Sequence, residues 1–410
     1  MGGWLVRLRV RSWRPLGILA SLILILVVVQ LLRPVPPIQL RTSMPATLTV
    51  PGPTAHIPWP SAGQSALAVA GVGMVGTSGT ITPTPIASLA KMMVAYLILK
   101  DHPLGAGQNG PQLTVTPADV ALYQSDAAGN QSVLPVAAGE VLNERQMLEG
   151  LLLPSGNNVA TMLARWDAGS LSAFVAKMNA AAKALGMTQS HYADASGVDQ
   201  ATVSTAVDQV RLAEADMANP VFAAIVRLPQ ATLPVAGVVY NVNADLGHAG
   251  IIGVKTGSTT AAGGCLVAAR EVTVGGTPRL VIGAVLGQGG LQPLPDALAA
   301  GKRLMAAVPG LFAMVHPVRA GQVAASLVAP WTHPVALAVP APAPGFVGWG
   351  GLRASAHVAP TADLKPGKPV AAGTKVASLT LTVGRQTATL PLAAGVAIAP
   401  PSLAWRLMRP

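Results

Sequence analysis

Hydrophobic residues recur in three different patterns along this chain. Residues 15–32 are apolar except for Ser21 and Gln30. Between residues 60 and 312, short apolar runs of strand length accompany segments whose apolar residues recur at the helical spacing of three or four positions. After residue 316 the helical spacing is lost, and Pro, Gly, Val and Thr dominate. The patterns predict a leading apolar helix, a mixed region and an all-β region.

The apolar run at residues 15–32 follows a basic segment, residues 1–14, that contains four arginines. As a helix the run would extend about 27 Å, close to the thickness of a bilayer core. We expect residues 1–14 to be a cytoplasmic tail and residues 15–32 an uncleaved transmembrane anchor. A cleaved signal peptide is the alternative, but the run ends in Arg33-Pro34-Val35-Pro36-Pro37, a poor cleavage site. Residues 33–59, rich in Pro, Thr and Ser, are expected to form a linker.

Strands are predicted at both ends of the mixed region, residues 60–312, and helices are predicted between them. This order predicts one α+β domain whose sheet combines the two ends of the segment. In the helix that begins after Asn143, the spacing places Glu144, Gln146 and Glu149 towards solvent. The next helices are predicted from residues 158, 171 and 204, the last ending before Pro220.

Residues 316–398 are predicted to form a small β domain. Two alternating segments, 376–383 and 386–392, flank Gly384-Arg385, which is typical of a two-residue hairpin loop. The remaining tail, residues 399–410, fits either a short basic amphipathic helix or a frayed terminus.

Composition narrows the classes of function. The formal net charge of +11 favours anionic surroundings such as phospholipid or a cell wall. Lys and Arg do not cluster among aromatic residues, so nucleic-acid binding is not expected. The single cysteine, Cys265, excludes an intramolecular disulfide. The seven histidines are scattered, so neither a metal site nor a cofactor is expected.

Ser88 and Lys91 form an S-x-x-K motif at the start of a helix predicted over residues 85–97. On a helix, residues three apart share a face, about 5–6 Å between Cβ atoms. Apolar residues follow Lys91, so the amine is partly desolvated, and desolvation lowers its pKa. Such a lysine beside a serine is a general base beside a nucleophile. Alternatively, Ser88 caps the helix and Lys91 is solvated.

Ser155 and Asn157 form an S-x-N motif in the turn between two predicted helices, where side chains can project into a cleft. Simple helix capping is the alternative.

Lys255, Thr256 and Gly257 form a K-T-G motif at the end of a predicted strand. The lysine and threonine can hold a carboxylate, and the glycine leaves the strand edge open to a substrate backbone. A hairpin turn is the alternative. In this order the three motifs match the signature set of penicillin-binding proteins and class A β-lactamases.

The sequence resembles the D-alanyl-D-alanine carboxypeptidases, the low-molecular-mass penicillin-binding proteins of serine peptidase family S11. The resemblance covers roughly residues 60–310, and more weakly 316–398. Its main segments are residues 86–93, 151–158, 174–179, 184–188, 191–194 and 253–257. It implies a penicillin-binding/β-lactamase-like transpeptidase fold, with an antiparallel sheet flanked by helices and a helical subdomain, followed by a small all-β domain.

The resemblance implies that the chain removes the terminal D-Ala from peptidoglycan stem peptides that end in D-Ala-D-Ala. Ser88 would be the nucleophile, Lys91 its base, and Ser155 a proton relay to the leaving D-Ala. The implied enzyme trims the cell wall, lies outside the cytoplasmic membrane, and is acylated by β-lactam antibiotics.

The remaining site residues bind substrate in this scheme. Asn157 would orient the substrate or the catalytic lysine, and Lys255 and Thr256 would bind the terminal carboxylate beside Gly257. The N–H of Ser258 would complete an oxyanion hole with that of the nucleophile.

The sequence departs from the family pattern at residues 287–290, Gly-Gln-Gly-Gly, where many members carry an arginine. Glu140, Glu144 and Glu149 precede the second motif, and none is placed as the deacylating base of a β-lactamase. The alternatives to a carboxypeptidase are an endopeptidase or a β-lactamase on the same scaffold, or a non-catalytic cell-wall scaffold.

Overall fold

The structure, a computed structural model, describes residues 14–52 and 56–409. The described helices are α1 (Arg14–Leu32), α2 (Ala90–Asp101), α3 (Pro117–Ala128), α4 (Glu144–Leu152), α5 (Asn157–Ala168), α6 (Leu171–Ala184), α7 (Ala206–Met217), α8 (Pro220–Val226), α9 (Pro293–Ala307) and α10 (Leu403–Met408). Two short 3₁₀ helices lie at Ala87–Leu89 and His248–Gly250.

The first ten strands are β1 (Gln39–Thr42), β2 (Thr47–Thr49), β3 (Gln64–Val69), β4 (Gly73–Ser78), β5 (Thr84–Pro85), β6 (Gln112–Thr114), β7 (Val141–Asn143), β8 (Val203–Ser204), β9 (Gln230–Leu233) and β10 (Gly237–Tyr240). The remaining strands are β11 (Ile251–Thr259), β12 (Gly263–Val274), β13 (Thr277–Gln288), β14 (Ala313–Val315), β15 (Val323–Val328), β16 (Val335–Ala338), β17 (Phe346–Gly348), β18 (Arg353–Pro360), β19 (Lys375–Val383) and β20 (Gln386–Ala393).

The chain divides into two compact units. One contains residues 52–315 and 347–351, and the other contains residues 1–51, 316–346 and 352–410. The first unit holds a five-stranded antiparallel sheet in the order β11-β12-β13-β3-β4. Strands β3 and β4 precede the helices and the other three follow them. The sheet therefore combines both ends of the segment, and the predicted α+β class is confirmed.

Helix α2 lies at the centre of the first unit. Its residues from Ala90 to Leu99 are buried, apart from the half-buried Tyr96. Helices α4, α5, α6 and α7 all contact it. An apolar helix with no polar face is stable only when it is covered on every side. This burial is what removes the side chain of Lys91 from water.

Side-chain caps explain where several of these helices begin. Thr116 and Asp119 form a reciprocal capping box at α3, and Asn143 and Gln146 form another at α4. Sequence analysis missed α8, because Pro220 was interpreted only as the end of the preceding helix. The Asn219 side chain instead accepts hydrogen bonds from two N–H groups, and proline at the first helical position starts a new helix.

Glu144 corrects one prediction, because it does not face solvent. The residue is fully buried, and neither of its carboxylate oxygens has a hydrogen-bond partner. The backbone at Gly110 lies against it, since a Cβ there would be 2.5 Å from a Glu144 oxygen. Burial raises the pKa of Glu144 to about 7. The loop that contains Gly110 can approach this closely because glycine has no Cβ. It covers the Glu144 side chain, which the helical spacing predicts to face solvent.

The second unit is built from two sheets, in the orders β1-β15-β16 and β2-β18-β19-β20. The predicted hairpin is confirmed, because Val383 pairs with Gln386 across the two-residue loop. Strands β1 and β2 lie inside residues 33–59, where we expected only a linker. β1 pairs with the edge of β15, and β2 pairs with the edge of β18. An unpaired sheet edge can bind any extended segment, wherever that segment lies in the sequence. The domain boundaries themselves stay a prediction.

The end of α1 and the residues around α10 contact each other within the second unit. Helix α10 is capped by Ser402, so the tail is helical over residues 403–408. Arg409 donates hydrogen bonds to the carbonyls of Gln30, Arg33 and Pro34 at 3.1, 2.6 and 2.9 Å. These contacts place a cation at the carbonyl end of α1, where the helix dipole favours it.

The expected tail, residues 1–14, lies outside the described residues except for Arg14. Helix α1 covers the expected anchor at residues 15–32. In the part of the chain that the structure describes, no helix has the length and apolar character needed to cross a membrane.

Candidate active site

The nucleophile candidate lies in a tight turn that leads into α2. Ser88 is the middle residue of the 3₁₀ helix Ala87–Leu89, and its side chain is half-buried. Ala87, directly before it, has a φ of +49°, in the left-handed region that non-glycine residues rarely occupy. Such a conformation costs about 1–3 kcal/mol and persists only where surrounding packing enforces it.

Lys91 is one turn further along and fully buried. Its Nζ lies 2.8 Å from Ser88 Oγ, 2.6 Å from Asn157 Oδ1 and 3.2 Å from the carbonyl oxygen of Ser196. Two of these three oxygens, the Asn157 amide oxygen and the Ser196 carbonyl, can only accept hydrogen bonds.

This arrangement fixes the direction of the lone pair when Lys91 is neutral. A neutral amine has two N–H bonds, and the two obligatory acceptors, Asn157 Oδ1 and the Ser196 carbonyl, take both. The lone pair then faces Ser88 Oγ, which can donate its proton. This is the orientation that a general base towards the serine hydroxyl requires, and the S-x-x-K motif predicts it.

The electrostatic surroundings favour the neutral amine. Burial lowers the pKa of Lys91 well below its ordinary value of 10.5, and the positive charge of Lys255 lowers it further. The carboxylates of Asp194 and Asp126 act in the opposite direction and raise it.

The second motif lies between α4 and α5, in the predicted turn. Asn157 is buried, and its Nδ2 donates to Gln131 Oε1 at 2.6 Å. This bond orients the amide so that its oxygen faces Lys91. Ser155 is also buried, with a φ of +65°, and its Oγ has no hydrogen-bond partner in the described chain. Its hydroxyl therefore has unused hydrogen-bonding capacity.

The third motif lies on β11, the edge strand of the sheet. Gly257 packs directly against the 3₁₀ turn Ala87–Leu89, hereafter the nucleophile turn. A Cβ at this position would lie 2.8 Å from the backbone nitrogen of Ser88. Any larger residue would push the strand and the turn apart. Lys255 and Thr256 are buried, whereas Ser258 is exposed.

Burial lowers the pKa of Lys255 to about 7. Its Nζ donates to the carbonyl oxygen of Thr256 at 2.9 Å. The ammonium form of Lys255 is therefore the major form only below about pH 7 in the free protein.

The predicted residues are not equally connected. Hydrogen bonds join Ser88, Lys91 and Asn157 directly, and packing brings Gly257 to the same turn. Gln288 lies within residues 287–290, the segment that departs from the family pattern, and its amide donates to the carbonyls of Ala62 and Leu286. Its side chain therefore serves the local backbone.

Sequence analysis missed two partners of this site, Gln131 and Ser196. Gln131 precedes the second motif by more than 20 residues, and Ser196 contributes only a backbone carbonyl, for which no side-chain pattern exists. The His191–Asp194 segment, which carries part of the family resemblance, was the one signal near Ser196.

Comparison with known proteins agrees with this geometry. The sequence model of the D-alanyl-D-alanine carboxypeptidases matches residues 75–288, more than half of the chain. The chain belongs to the peptidase S11 family. The match spans all three motifs and confirms the resemblance seen in the sequence.

Three family relatives illustrate the extent of the similarity. The chain is 39% identical over 210 residues to the D-alanyl-D-alanine carboxypeptidase DacB2 of Mycobacterium tuberculosis, covering 50% of this chain and 67% of that protein. It is 32% identical over 244 residues to a D-alanyl-D-alanine carboxypeptidase of Streptomyces, covering 53% and 80%. A D-alanyl-D-alanine endopeptidase of Escherichia coli is 30% identical over 192 residues, covering 45% and 58%.

Solved structures of S11-like enzymes share the fold. The Streptomyces K15 DD-transpeptidase is 28% identical with a TM-score of 0.51, covering 63% of this chain and 98% of that one. The carboxypeptidase DacD of Francisella tularensis, 19% identical with a TM-score of 0.60, covers 86% and 96%. The second likeness concerns the fold alone, and it extends beyond the catalytic segment into the all-β region.

Replacing Lys91 tests its role as the base. Arginine stays protonated, so Lys91→Arg should slow acylation of the protein by penicillin by about 10²–10⁴-fold. In the wild type, the rate should reach its plateau well below pH 10.5, because the pKa of Lys91 is lowered. Stopped-flow measurement of adduct formation across pH checks both expectations. Lys100→Arg, at an exposed position of the same helix, should be acylated at the wild-type rate. If Lys91→Arg were acylated as fast as Lys100→Arg, the assignment of Lys91 as the base would be contradicted.

Proposed function

We propose that this S11 family member is a serine-type D-Ala-D-Ala carboxypeptidase that works through an acyl-enzyme on Ser88. The observation that carries the proposal is the buried amine of Lys91, held by two obligatory acceptors so that its lone pair faces the Ser88 hydroxyl. The family match supports the same reaction class.

Acylation begins when Ser88 Oγ attacks the carbonyl carbon of the penultimate D-Ala. Lys91 Nζ takes the hydroxyl proton as the new C–O bond forms. The developing oxyanion lies between the N–H groups of Ser88 and Ser258, a proposal supported by the packing of Gly257 on the Ser88 backbone. Removing one such donor typically slows a reaction by about 10²–10³-fold.

The leaving D-Ala needs a proton on its nitrogen when the peptide bond breaks. Ser155 is proposed to transfer the proton from Lys91 to this nitrogen. Its buried Oγ has no hydrogen-bond partner among the described residues and can bond the leaving amine. Asn157 keeps Lys91 oriented throughout. A water molecule then attacks the ester and gives a proton to Lys91. As the ester bond breaks, Lys91 returns this proton to Ser88 Oγ, and the shortened stem peptide is released.

Lys255 and Thr256 are proposed to bind the terminal carboxylate of the substrate. Lys255 and Thr256 directly precede Gly257, the residue of β11 that packs on Ser88, and the ammonium of Lys255 supplies the complementary charge. A group without a terminal carboxylate would lose this contact. The S11 family also includes proteins named endopeptidases. The contact with a terminal carboxylate would favour carboxypeptidase activity over endopeptidase activity.

The chain is proposed to act in the cell envelope, outside the cytoplasmic membrane, where peptidoglycan lies. Attachment through residues 15–32 rests on the sequence pattern, four arginines followed by an apolar run. The exposed apolar side chains of α1, such as Leu24 and Ile25, fit an apolar environment.

The covalent intermediate gives a direct test. Incubation with penicillin should add one penicilloyl group, mapped by mass spectrometry to Ser88, and a stem pentapeptide should release D-Ala. Ser88→Ala should lose both, because among the described residues the Ser88 hydroxyl is the one hydrogen-bonded to Lys91 Nζ. Ser170→Ala, which alters an exposed helix cap, should retain both. An adduct on another serine would contradict the assignment, and rapid turnover of penicillin would indicate a β-lactamase.

The carboxylate contact predicts a pH-dependent KM. As pH rises through about 7, Lys255 loses its proton, so KM for a D-Ala-D-Ala peptide should rise. KM for the same peptide with a C-terminal amide should stay flat. Thr256→Val should raise KM about tenfold, the effect of one lost hydrogen bond, whereas Thr273→Val on an exposed position of β12 should not. Equal turnover of acid and amide would favour an endopeptidase.

Cell fractionation tests the proposed attachment. The full chain should remain with membranes after alkaline carbonate extraction, and a chain lacking residues 15–32 should be released, because the apolar run is removed. Removal of residues 403–410 is the matched control and should leave the full attachment. Release of the full chain by carbonate would contradict the anchor and would leave the catalytic proposal untouched.

A further inference from the structure

The loop that contains Ser196 supplies one of the two acceptors that orient Lys91, yet no sequence motif accounts for it. The carbonyl oxygen of Ser196 lies 3.2 Å from Lys91 Nζ. A backbone carbonyl in a loop keeps its position only if the loop itself is held. A carboxylate from the same loop, that of Asp194, makes the hydrogen bonds that hold Ser196 directly.

Asp194 folds the loop around its own side chain. Its Oδ2 accepts hydrogen bonds from Ser196 Oγ at 2.6 Å, from Ser196 N at 3.3 Å and from Val198 N at 3.0 Å. Its Oδ1 accepts from the hydroxyl of Thr202 at 2.5 Å. Two of the four bonds are made to Ser196 itself, on the residue whose carbonyl contacts Lys91.

Thr202 closes the loop from the other end. The residue is fully buried, and its hydroxyl oxygen accepts from the N–H groups of Ala193 and Asp194 at 3.0 and 3.1 Å. Its own carbonyl accepts from Ile86 N at 3.3 Å. The loop is thus attached to the residue two positions before the nucleophile.

Gly197 brings the loop against the same turn. It has a φ of +80°, and a Cβ at this position would lie 1.8 Å from the carbonyl oxygen of Ala87. Only glycine permits this approach. The loop therefore packs on the strained residue that precedes Ser88, as well as on the base.

The charges that face Lys91 come from three elements. Lys255 on β11 disfavours its protonated form, and Asp194 in the loop and Asp126 on α3 favour it. Of the two carboxylates, Asp194 alone is connected to Lys91 by hydrogen bonds, through Ser196. During acylation Lys91 becomes an ammonium, so a negative charge held close by stabilises the product of proton transfer.

We propose that Asp194 is a positioning residue for the catalytic base: its carboxylate holds Ser196 so that the Ser196 carbonyl occupies one N–H of Lys91 and leaves the lone pair facing Ser88. The proposal rests on the proposed acyl-enzyme function. It adds a residue that acts on the reaction through Lys91 and not through the substrate.

The test compares two isosteric changes in one loop. Asp194→Asn removes the charge and part of the hydrogen bonding, and it should slow acylation by penicillin about tenfold to a hundredfold, the effect of a misplaced catalytic group. Because the negative charge that favours the ammonium form is lost, the acid limb of the rate profile should move to lower pH. Asp199→Asn, an exposed aspartate whose Oδ1 accepts only from Ala201 N nearby, should match the wild type in both respects.

A second variant separates position from charge. Ser196→Ala keeps the carbonyl and the Asp194 charge but removes the 2.6 Å hydrogen bond. Acylation should slow by less than in Asp194→Asn, with the acid limb unmoved. Were Asp194→Asn to be recovered unfolded, Ser196→Ala would decide alone, and a wild-type rate in it would overturn the proposal.

Direct titration of Lys91 makes the test independent of activity. Protein labelled with ¹³C at lysine Cε, with the Lys91 signal assigned by its loss in Lys91→Arg, should show a lower pKa for Lys91 in Asp194→Asn than in the wild type. An unchanged pKa together with an unchanged rate, or a loss of thermal stability alone, would overturn the proposal. A wild type that forms no adduct would refute the proposed function, while the titration would still decide the role of Asp194.

Discussion

The site depends on keeping one amine out of water while giving each of its hydrogen-bonding directions a defined partner. Burial of a lysine disfavours its charge, so the fold lowers the pKa of Lys91 well below its ordinary value and favours the neutral amine. Burial alone would not fix the direction in which the lone pair of the amine points. The Asn157 amide oxygen and the Ser196 carbonyl supply the direction, because neither can donate a hydrogen bond.

The fold meets this requirement by bringing distant segments of the chain to one helix. Helix α2 carries the amine and is covered by other helices, and the 3₁₀ turn in front of it carries the hydroxyl. The second motif approaches from the start of α5, and β11 approaches from the sheet edge. Two positions in these segments, Ala87 and Ser155, have non-glycine residues in the left-handed region. Strain at both motifs is consistent with packing that holds the reacting groups in place.

Glycines and carboxylates make this close packing possible. Gly257 and Gly197 let a strand and a loop approach the backbone of the nucleophile turn from different sides, where any Cβ would collide. Asp194 then closes the loop that carries the Ser196 carbonyl. Elsewhere the same unit buries Glu144 and Asp216 without hydrogen-bond partners, and burial raises the pKa of each. Hydrogen bonds join the buried polar groups near Lys91, whereas the carboxylate oxygens of Glu144 and Asp216 have no hydrogen-bond partner among the described residues.

The sequence by itself determined the elements and the chemistry they carry. Helical and strand spacing, with the order of S-x-x-K, S-x-N and K-T-G, predicted the α+β class and the residues Ser88, Lys91, Asn157 and Gly257 that meet in the structure. These signals are local, since periodicity and short motifs depend on neighbours within a few positions. The tertiary structure decided the contacts between distant segments, which local sequence patterns do not specify. The Ser196 carbonyl, the Asp194 carboxylate and the covered Glu144 depend on contacts between segments far apart in sequence, and β1 and β2 joined remote sheets because backbone hydrogen bonding does not depend on side-chain identity.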